Sequence, residues 1–369
     1  MTKSITVKSR SQDLVLQAHD ETPAKGKQLI KQALEVDLDN ADALLRLKQQ
    51  LYYKIKNMYK QDIIEAHKRI EPYIHNTPVL SSTLINEIVG ASVVFKCENF
   101  QKMGAFKMRG ASNAIIQLSD DQRKKGVVTH SSGNFAQALA LAAQSMGVKA
   151  YIVMPSTAPQ VKKDAVKGYG GEIIESEPTL AARENRAKEI VEKVGATFIH
   201  PSNYLDVIIG NATAGKELLE NQSDLEYIFT PVGGGGLIAG TALSARYFGS
   251  NCKVIGGEPL EADDAYRSLQ SGVIESNITA NTIADGLRTH LGDINFPIIQ
   301  QNVERIIRVT EEEIVNAMRL IWERLKIVCE PSSAVALAAL LKEKETYRNR
   351  KMGIIISGGN VDLSKLPFS

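Results

Sequence analysis

Lys107 lies in a turn whose composition suits the chemistry of an amine. Residues 101–110 read QKMGAFKMRG, so this lysine directly follows an aromatic residue, Phe106, and has glycines on both sides. A lysine held partly out of water has a lowered pKa, and its free amine attacks an aldehyde carbon. The alternative is a surface lysine beside the start of a helix, and this segment alone does not decide between the two.

A run of four glycines indicates a phosphate site. Residues 231–237 read PVGGGGL, between the strand-like IFTPV and the helix-like LIAGTALSARYF. Gly233 to Gly236 let backbone N–H groups approach an anion at a helix N-terminus, where the helix dipole favours negative charge. No Gly-Lys-Ser/Thr sequence follows, so the run is not a P-loop. It suits one phosphomonoester, and the alternative is a tight turn with no ligand.

The same glycines also permit a dinucleotide site. Gly234, Gly236 and Ala239 satisfy a relaxed GxGxxG/A pattern. Glu258 follows about twenty residues later at the end of the next strand, where ribose recognition needs an acid. An NAD-binding oxidoreductase is therefore the main alternative from another class, although it leaves Lys107 without a role.

Two further turns carry hydroxyl and amide groups. Residues 129–137 read THSSGNFAQ and follow a short apolar strand. Ser131, Ser132 and Gly133 at this helix start can bind a carboxylate, and Asn134 can bond a cofactor oxygen. The alternative is an ordinary serine N-cap. Residues 356–360 read ISGGN, where Ser357 can bond a ring nitrogen or simply end a strand.

Strands that alternate with helices must position these turns. From about residue 61, short β-branched segments are each followed by a polar turn and a helix, which predicts an α/β fold with parallel sheets. Ligands of such sheets bind outside the carboxyl ends of the strands, where the glycine and serine turns fall. The predicted strands are 93–95, 126–129, 150–154, 197–199, 227–229, 253–255 and 353–356.

The first 60 residues differ from this pattern. They contain a single glycine, Gly26, and show helical periodicity around Ala41, Leu44 and Leu51. We interpret them as an accessory helical extension that packs on the body or on a partner subunit, because one helical pair cannot bury its apolar face alone.

Composition excludes several classes of protein. The chain has 369 residues, enough for two domains, and a net charge of +2, which argues against a nucleic-acid partner. No apolar run approaches the roughly 18 residues of a membrane span, and the N-terminus lacks a secretory signal. The three cysteines, Cys97, Cys252 and Cys329, lack metal-site spacing and predict reduced, buried thiols in a cytoplasmic protein.

Taken in their order along the chain, these four motifs resemble those of the fold-type-II pyridoxal-phosphate enzymes. The resemblance is specifically to the serine racemase, threonine dehydratase and hydroxyaspartate dehydratase family, and it runs from about residue 61 to the end. It also includes TPVLSSTLIN (77–86), TIADGLR (282–288), ERLKIVCEPSSA (323–334) and SGGNVDL (357–363).

The resemblance implies a tryptophan synthase β-like α/β fold, with two open, twisted, mostly parallel sheets flanked by helices. It implies a large cofactor-binding domain, residues 61–125 and 205–369, and a small domain, residues 126–204. The helical N-terminal extension, residues 1–60, lies outside the family. A homodimer is implied as well.

The resemblance also implies how pyridoxal 5′-phosphate is held. Lys107 matches the Schiff-base lysine, Asn134 the residue that bonds the 3′-oxygen, and Ser357 the partner of the pyridine nitrogen. A neutral serine does not keep that nitrogen protonated, so elimination can compete with racemisation. The other matched cofactor contacts are Phe106, Gly233, Gly234, Gly235, Gly236 and Leu237.

The implied activity is that of a serine racemase with serine/threonine ammonia-lyase (dehydratase) activity on a small hydroxy amino acid. Lys107 would take the Cα proton, and Ser132 matches the serine that faces it across the cofactor. Racemisation needs one acid/base on each face of Cα, which this pair supplies. A 3-hydroxyaspartate dehydratase, an aspartate racemase and a catalytically silent relative remain alternatives.

Departures from the family affect the substrate pocket. Phe135 stands where the serine racemases have histidine, and Ser202 stands where they have asparagine. Arg183 matches an arginine that approaches a second carboxylate, which keeps an acidic substrate open. Met103 replaces a threonine of the family's nucleotide site, so we do not expect nucleotide activation. The expected substrate contacts are Ser131, Ser132, Gly133, Phe135, Arg183 and Thr289.

An acidic loop matches the family's divalent-cation site. Residues 258–264 read EPLEADD, in which Glu258 and Asp264 would supply carboxylates and Ala262 a backbone carbonyl. Oxygen ligands suit Mg²⁺, with Ca²⁺ or Mn²⁺ as alternatives. The other interpretation is a solvated acidic loop.

Overall fold

The computed structural model describes residues 60–368. The helical extension predicted over residues 1–60 therefore lies outside the described residues, except for Lys60. Among the residues described, no helix combines the length and the apolar character that crossing a bilayer requires.

Strands in this range form two sheets. In chain order they are β1 (Val79–Ser81), β2 (Ser92–Cys97), β3 (Val127–His130), β4 (Ala150–Pro155), β5 (Glu172–Ser176), β6 (Thr197–Phe198), β7 (Tyr227–Pro231), β8 (Lys253–Pro259), β9 (Val303–Val309) and β10 (Lys351–Ile356). The six-stranded sheet has the order β1-β2-β10-β7-β8-β9, and the four-stranded sheet has the order β5-β4-β3-β6. Only the pairing of β1 with β2 is antiparallel.

Helices cover both sheets. They are α1 (Lys60–Ile70), α2 (Thr83–Val89), α3 (Lys107–Ile116), α4 (Asp120–Lys125), α5 (Asn134–Ser145), α6 (Gln160–Gly168), α7 (Leu180–Val194), α8 (Leu205–Asn221), α9 (Gly236–Phe248), α10 (Asp264–Ser271), α11 (Phe296–Asn302), α12 (Glu311–Arg324) and α13 (Pro331–Lys342). Helix α13 reads PSSAVALAALLK and is apolar all round, so it lies buried against β7, β8 and β10.

The predicted fold class is confirmed, because helices flank two sheets whose strands are almost all parallel. Each of the seven strands predicted from the sequence is present, whereas β1, β5 and β9 were not predicted. Strands β5 (EIIES) and β9 (VERIIRV) mix charged with apolar residues, which hid them from a search for apolar runs. All strands of the smaller sheet fall within residues 126–204, and the division into a large and a small domain stays a prediction.

A buried ionic network anchors helix α3. The guanidinium of Arg109 donates to both carboxylate oxygens of Glu98, at 2.7 and 2.8 Å, and to both of Glu217, at 2.7 and 2.8 Å. Burial acts to raise the pKa of Glu217, but the His67 hydrogen bond and the charge of Arg109 hold it well below its usual range. The network therefore ties α3 to the end of β2 and to α8 through charged groups that are costly to separate.

Candidate active site

The turns that follow β2 and β10 meet at the carboxyl edge of the six-stranded sheet. The two strands are parallel neighbours, so their chain ends leave the sheet on the same side. The backbone N–H of Phe106 donates to the carbonyl of Ser357 at 3.0 Å, and Ala105 forms a β-bridge with Gly358. Residues far apart in the chain are thus brought together, with Lys107 one residue beyond this junction.

Lys107 begins helix α3, and its amine lies between two aromatic rings. Nζ is 5.0 Å from the ring centroid of Phe106 and 5.6 Å from that of Phe135, and it donates to the carbonyl of Pro201 at 2.8 Å. Burial lowers the pKa of Lys107 to about 8, while the charge of Glu330 acts to raise it. A larger share of this amine is therefore neutral and nucleophilic at physiological pH than in an ordinary lysine.

The carbonyl that receives Lys107 belongs to a turn held by His200. Nδ1 of His200 accepts the backbone N–H groups of Ser202, at 3.2 Å, and Asn203, at 2.8 Å. Burial lowers the pKa of His200 to about 4, and the nearby charges of His130 and Lys107 lower it further. The imidazole is therefore neutral at physiological pH, as an acceptor at Nδ1 requires. Sequence analysis assigned His200 no role.

The serine turn after β3 leaves helix α5 without a side-chain cap. Gly133 is the N-cap residue, and Ser131 Oγ instead accepts the N–H of Gly133 at 3.4 Å. A Cβ built on Gly133 would meet no atom within 4 Å, so the turn borders open space. The ordinary serine N-cap is therefore not what forms here, and Ser131 and Ser132 are half-buried beside that space.

Asn134 connects the serine turn to the other sheet. Its Nδ2 donates to the two carboxylate oxygens of Glu330, at 2.9 and 3.1 Å. Its Oδ1 accepts from Nδ2 of Asn360 at 2.9 Å. Glu330 was missed by sequence analysis, which had used CEPSSA only as a mark of the family. A glutamate directly before the proline that opens a helix was the available signal.

Ser357 is buried and paired with a second hydroxyl that sequence analysis also missed. Its Oγ lies 2.9 Å from Oγ of Ser333, which accepts the N–H of Gly358 at 2.8 Å. Oγ of Ser333 also lies 2.7 Å from the carbonyl of Gly358. The Ser333 hydroxyl has one hydrogen, which goes either to the Gly358 carbonyl or to Oγ of Ser357. In the first case Ser357 donates to Ser333 and can only accept from a third group. In the second case Ser357 keeps its hydrogen and can donate it to a third group.

The glycine run after β7 forms a cradle that side chains would fill. Gly235, the N-cap residue of α9, has a φ of 81°, a left-handed conformation that favours glycine. A Cβ on Gly233 would lie 2.8 Å from Cα of Leu287. Asn295 Nδ2 donates to the carbonyl of Gly234 at 2.8 Å and holds the loop in place. Because the first N–H groups of a helix lack intrahelical partners, the loop suits an anion.

Two hydroxyl groups predicted to lie near the substrate border this cradle. A Cβ built on Gly234 would lie 2.5 Å from Oγ of Ser202 and 2.9 Å from Oγ1 of Thr289. Ser202 is buried and Thr289 is exposed. Both therefore lie beside the glycine loop, and their contact with a substrate stays a prediction.

Arg183 lies on α7 near the carboxyl end of β3. Its side chain is half-buried, and its Nε bonds the Thr179 carbonyl of its own helix at 3.4 Å. Burial lowers the pKa of His130, the last residue of β3. The charge of Glu184 acts to raise this pKa, and the charge of Arg183 acts to lower it. The arginine is thus close enough to act on the strand that carries the serine turn, and its role with a substrate carboxylate stays a prediction.

The acidic loop buries the two carboxylates that were predicted to bind a cation, Glu258 and Asp264, and leaves Glu261 exposed. Glu258 is fully buried and accepts the backbone N–H groups of Ala265 and Tyr266, at 2.9 and 2.7 Å. Asp264 accepts the N–H of Leu291 through Oδ2, whereas its buried Oδ1 has no partner among residues 60–368. Burial raises the pKa of Glu258 well above its usual range and that of Asp264 to about 6.

Within the described part of the chain, no three His, Cys, Asp or Glu side chains form a metal cluster. Any cation would therefore also need backbone oxygen, as predicted for the buried Ala262. The dinucleotide alternative is weakened by the same burial, because the fully buried Glu258 carboxylate is closed to a group as large as a ribose.

Fold and site together suit an enzyme that takes a phosphorylated aldehyde, because a glycine loop at a helix start and a desolvated amine lie at one sheet edge. The family model described as "Pyridoxal-phosphate dependent enzyme" matches residues 70–358. The chain therefore belongs to the pyridoxal-phosphate-dependent enzyme family.

Three relatives illustrate the family. The chain is 53% identical over 310 residues to the serine racemase of Dictyostelium discoideum, covering 83% of this chain and 96% of that protein. It is 47% identical over 309 residues to a β-hydroxyaspartate dehydratase of Paracoccus denitrificans, covering 84% and 98%. The solved structure of maize serine racemase matches with a TM-score of 0.81 at 47% identity, covering 83% and 94%.

The described residues fit pyridoxal 5′-phosphate. The cradle around Gly233 has no room for side chains and presents a helix N-terminus to a phosphate. The buried Ser357 hydroxyl and the Asn134 amide offer groups to a polar ring, and Lys107 offers a desolvated amine to an aldehyde.

Cofactor loading tests the lowered pKa of Lys107. Only the neutral amine adds to an aldehyde, so the loading rate should rise with pH and level off above about 8. Stopped-flow absorbance after mixing cofactor-free protein with pyridoxal phosphate between pH 6 and 10 measures this rate. Lys107→Ala should lose the visible band, whereas Lys102→Ala, in the same turn, should keep it. A rate that does not depend on pH would contradict the assignment.

Proposed function

We propose that this chain is a serine racemase-like enzyme that also has serine/threonine ammonia-lyase activity. The observation that carries the proposal is a desolvated lysine, Lys107, near the start of a helix whose serine turn does not cap it. The identity of 53% to a serine racemase and of 47% to a β-hydroxyaspartate dehydratase supports both activities.

Proton transfer is assigned to two side chains. Bound pyridoxal phosphate supplies an electron sink for the bond pair left at Cα when its proton departs. Nζ of Lys107 takes the Cα proton of the L-substrate, and the Pro201 carbonyl holds this nitrogen in place at 2.8 Å. Oγ of Ser132 returns a proton on the opposite face and so yields the D-isomer.

Elimination shares the first step with racemisation. Once Lys107 has taken the Cα proton, the β-hydroxyl leaves with a proton as water. One water molecule then hydrolyses the released enamine to a keto acid and ammonia. The N–H groups at the start of α5 and the hydroxyl of Ser131 hold the substrate carboxylate. Phe135 excludes water from the Lys107 side of the pocket, because its buried ring packs beside the amine.

An acidic substrate such as 3-hydroxyaspartate is the second candidate. Arg183 is half-buried and its charge acts on His130, next to the serine turn. An arginine there pairs with a second carboxylate through its planar fork of donors. The β-hydroxyaspartate dehydratase relative supports this alternative.

We also propose a divalent cation, Mg²⁺ first, on the acidic loop. Glu258, Asp264 and the Ala262 carbonyl offer oxygen, the donor that Mg²⁺ and Ca²⁺ prefer. The support is the buried, unpartnered Oδ1 of Asp264, since a buried carboxylate oxygen normally has a partner. The cation would stabilise the fold and take no part in proton transfer.

The assembly and compartment complete the proposal. We infer a homodimer in the cytoplasm. Unpaired cysteines support a reducing compartment: Cys97 and Cys329 are buried, and Cys252 is only half-buried, against the expectation that all three are buried.

Ser132→Ala separates the two reactions. The variant should lose racemisation of serine by at least about 100-fold, because one face of Cα then lacks an acid/base. It should keep elimination from the L-isomer, which Lys107 alone begins. Chiral chromatography measures the D-isomer, and a coupled assay measures the keto acid. Ser145→Ala, at the exposed end of the helix that follows the serine turn, is the matched control. Normal racemisation by Ser132→Ala would refute the two-base assignment.

Asp264→Asn tests the cation. A ligand that binds only the folded protein raises its Tm, here by roughly 3–6 °C at saturating Mg²⁺. Differential scanning fluorimetry with and without chelator should show this rise in the wild type and in the exposed control Asp121→Asn. It should be absent in Asp264→Asn. An equal rise in Tm in all three proteins would show that the cation does not bind at Asp264.

A further inference from the structure

Glu330 is a buried acid at the junction of both sheets for which the proposed reaction has no use. It is 5% exposed, it precedes α13, and its backbone N–H donates to the Gly358 carbonyl at 3.1 Å. A Cβ on Gly358 would lie 2.8 Å from its Oε1, so the carboxyl packs directly on the turn after β10. Its position is therefore fixed by the same turn that carries Ser357. This turn also holds the lysine segment, because Gly358 forms a β-bridge with Ala105, two residues before Lys107.

The contacts of Glu330 determine how the Asn134 amide points. Nδ2 of Asn134 donates to the carboxylate, and Oδ1 accepts from Nδ2 of Asn360, which also donates to the Met103 carbonyl at 2.9 Å. Reversing the amide would set Oδ1 against the carboxylate and two donors against each other. Only one orientation of the Asn134 amide satisfies all of these groups.

Several charged or titratable groups face Glu330 from the surrounding elements. Lys107 on α3 and Lys162 on α6 are cationic, while Asp285, in the turn before Leu287, is anionic. Cys329 precedes it in the chain, and burial raises the pKa of that thiol beyond physiological pH. Burial raises the pKa of Glu330 to about 7, and the Asn134 hydrogen bond acts to lower it.

We propose that Glu330 is a positioning residue that orients the Asn134 amide and supplies the negative charge that stabilises the proton on the Lys107 nitrogen. The inference rests on the proposed function, in which the Asn134 amide and Lys107 both contact the cofactor. Glu330 itself touches neither substrate nor reacting atoms in this assignment. Its two effects are separable, because glutamine keeps an acceptor for Asn134 but carries no charge.

A pH titration of the holoenzyme spectrum tests the charge. In Glu330→Gln, the pH at which the visible cofactor band is half converted should fall by about one unit, because an opposite charge near an amine raises its pKa by that order. Cofactor retention on dialysis should stay near that of the wild type. Glu323→Gln, an exposed glutamate on α12, is the matched control and should keep the wild-type profile.

Two further variants keep the test decisive. Glu330→Asp retains the charge, so its profile should lie closer to the wild type than that of Glu330→Gln. Glu330→Ala removes the charge and the acceptor, so it should shift the profile and also lose cofactor on dialysis. Far-UV circular dichroism checks that each variant is folded.

The outcomes distinguish this inference from the proposed function. If the wild type binds pyridoxal phosphate but Glu330→Gln has an unchanged pH profile, Glu330 has only a packing role and the inference is overturned. If the wild type itself develops no visible band, the proposed function fails instead.

Discussion

The amine of Lys107 is held where its charged form is disfavoured, and the rest of the site depends on this desolvation. Two aromatic rings and the Pro201 carbonyl lie close to Nζ, and the charge of Glu330 acts to raise the pKa that burial lowers. A solvated lysine would be almost wholly protonated at neutral pH and a poor nucleophile. Burial therefore creates the reactivity, and the surrounding charges set its pH range.

The fold meets this requirement by bringing several turns to one edge. Strands β2, β10 and β7 are consecutive neighbours, so the lysine turn, the Ser357 turn and the glycine cradle leave the sheet on one side. The smaller sheet contributes the serine turn, joined to the larger one through Asn134 and Glu330. The buried Arg109 network ties α3 to Glu98 and Glu217, so Lys107 extends from a helix that is anchored at two carboxylates.

Sequence patterns were enough for the α/β class and for the residues that local spacing marks. Lys107, the glycines from Gly233 and Ser357 all lie in short turns with characteristic composition. Glu330 and Ser333 act through partners that are distant in the chain, such as Asn134, 196 residues from Glu330. His200 bonds only the nearby Ser202 and Asn203, but the turn that it holds meets Lys107, which lies 94 residues from Pro201. No local pattern encodes such contacts, so these residues emerged only once the strands were paired.

The attachment of the cofactor to Lys107 is the claim on which everything else rests. Borohydride reduction of the holoenzyme, followed by proteolysis and mass spectrometry, measures it directly. The account predicts one reduced pyridoxyl-phosphate group per chain, on the peptide that contains Lys107. A label on any other lysine, or no label in protein that shows the visible band, would contradict the account.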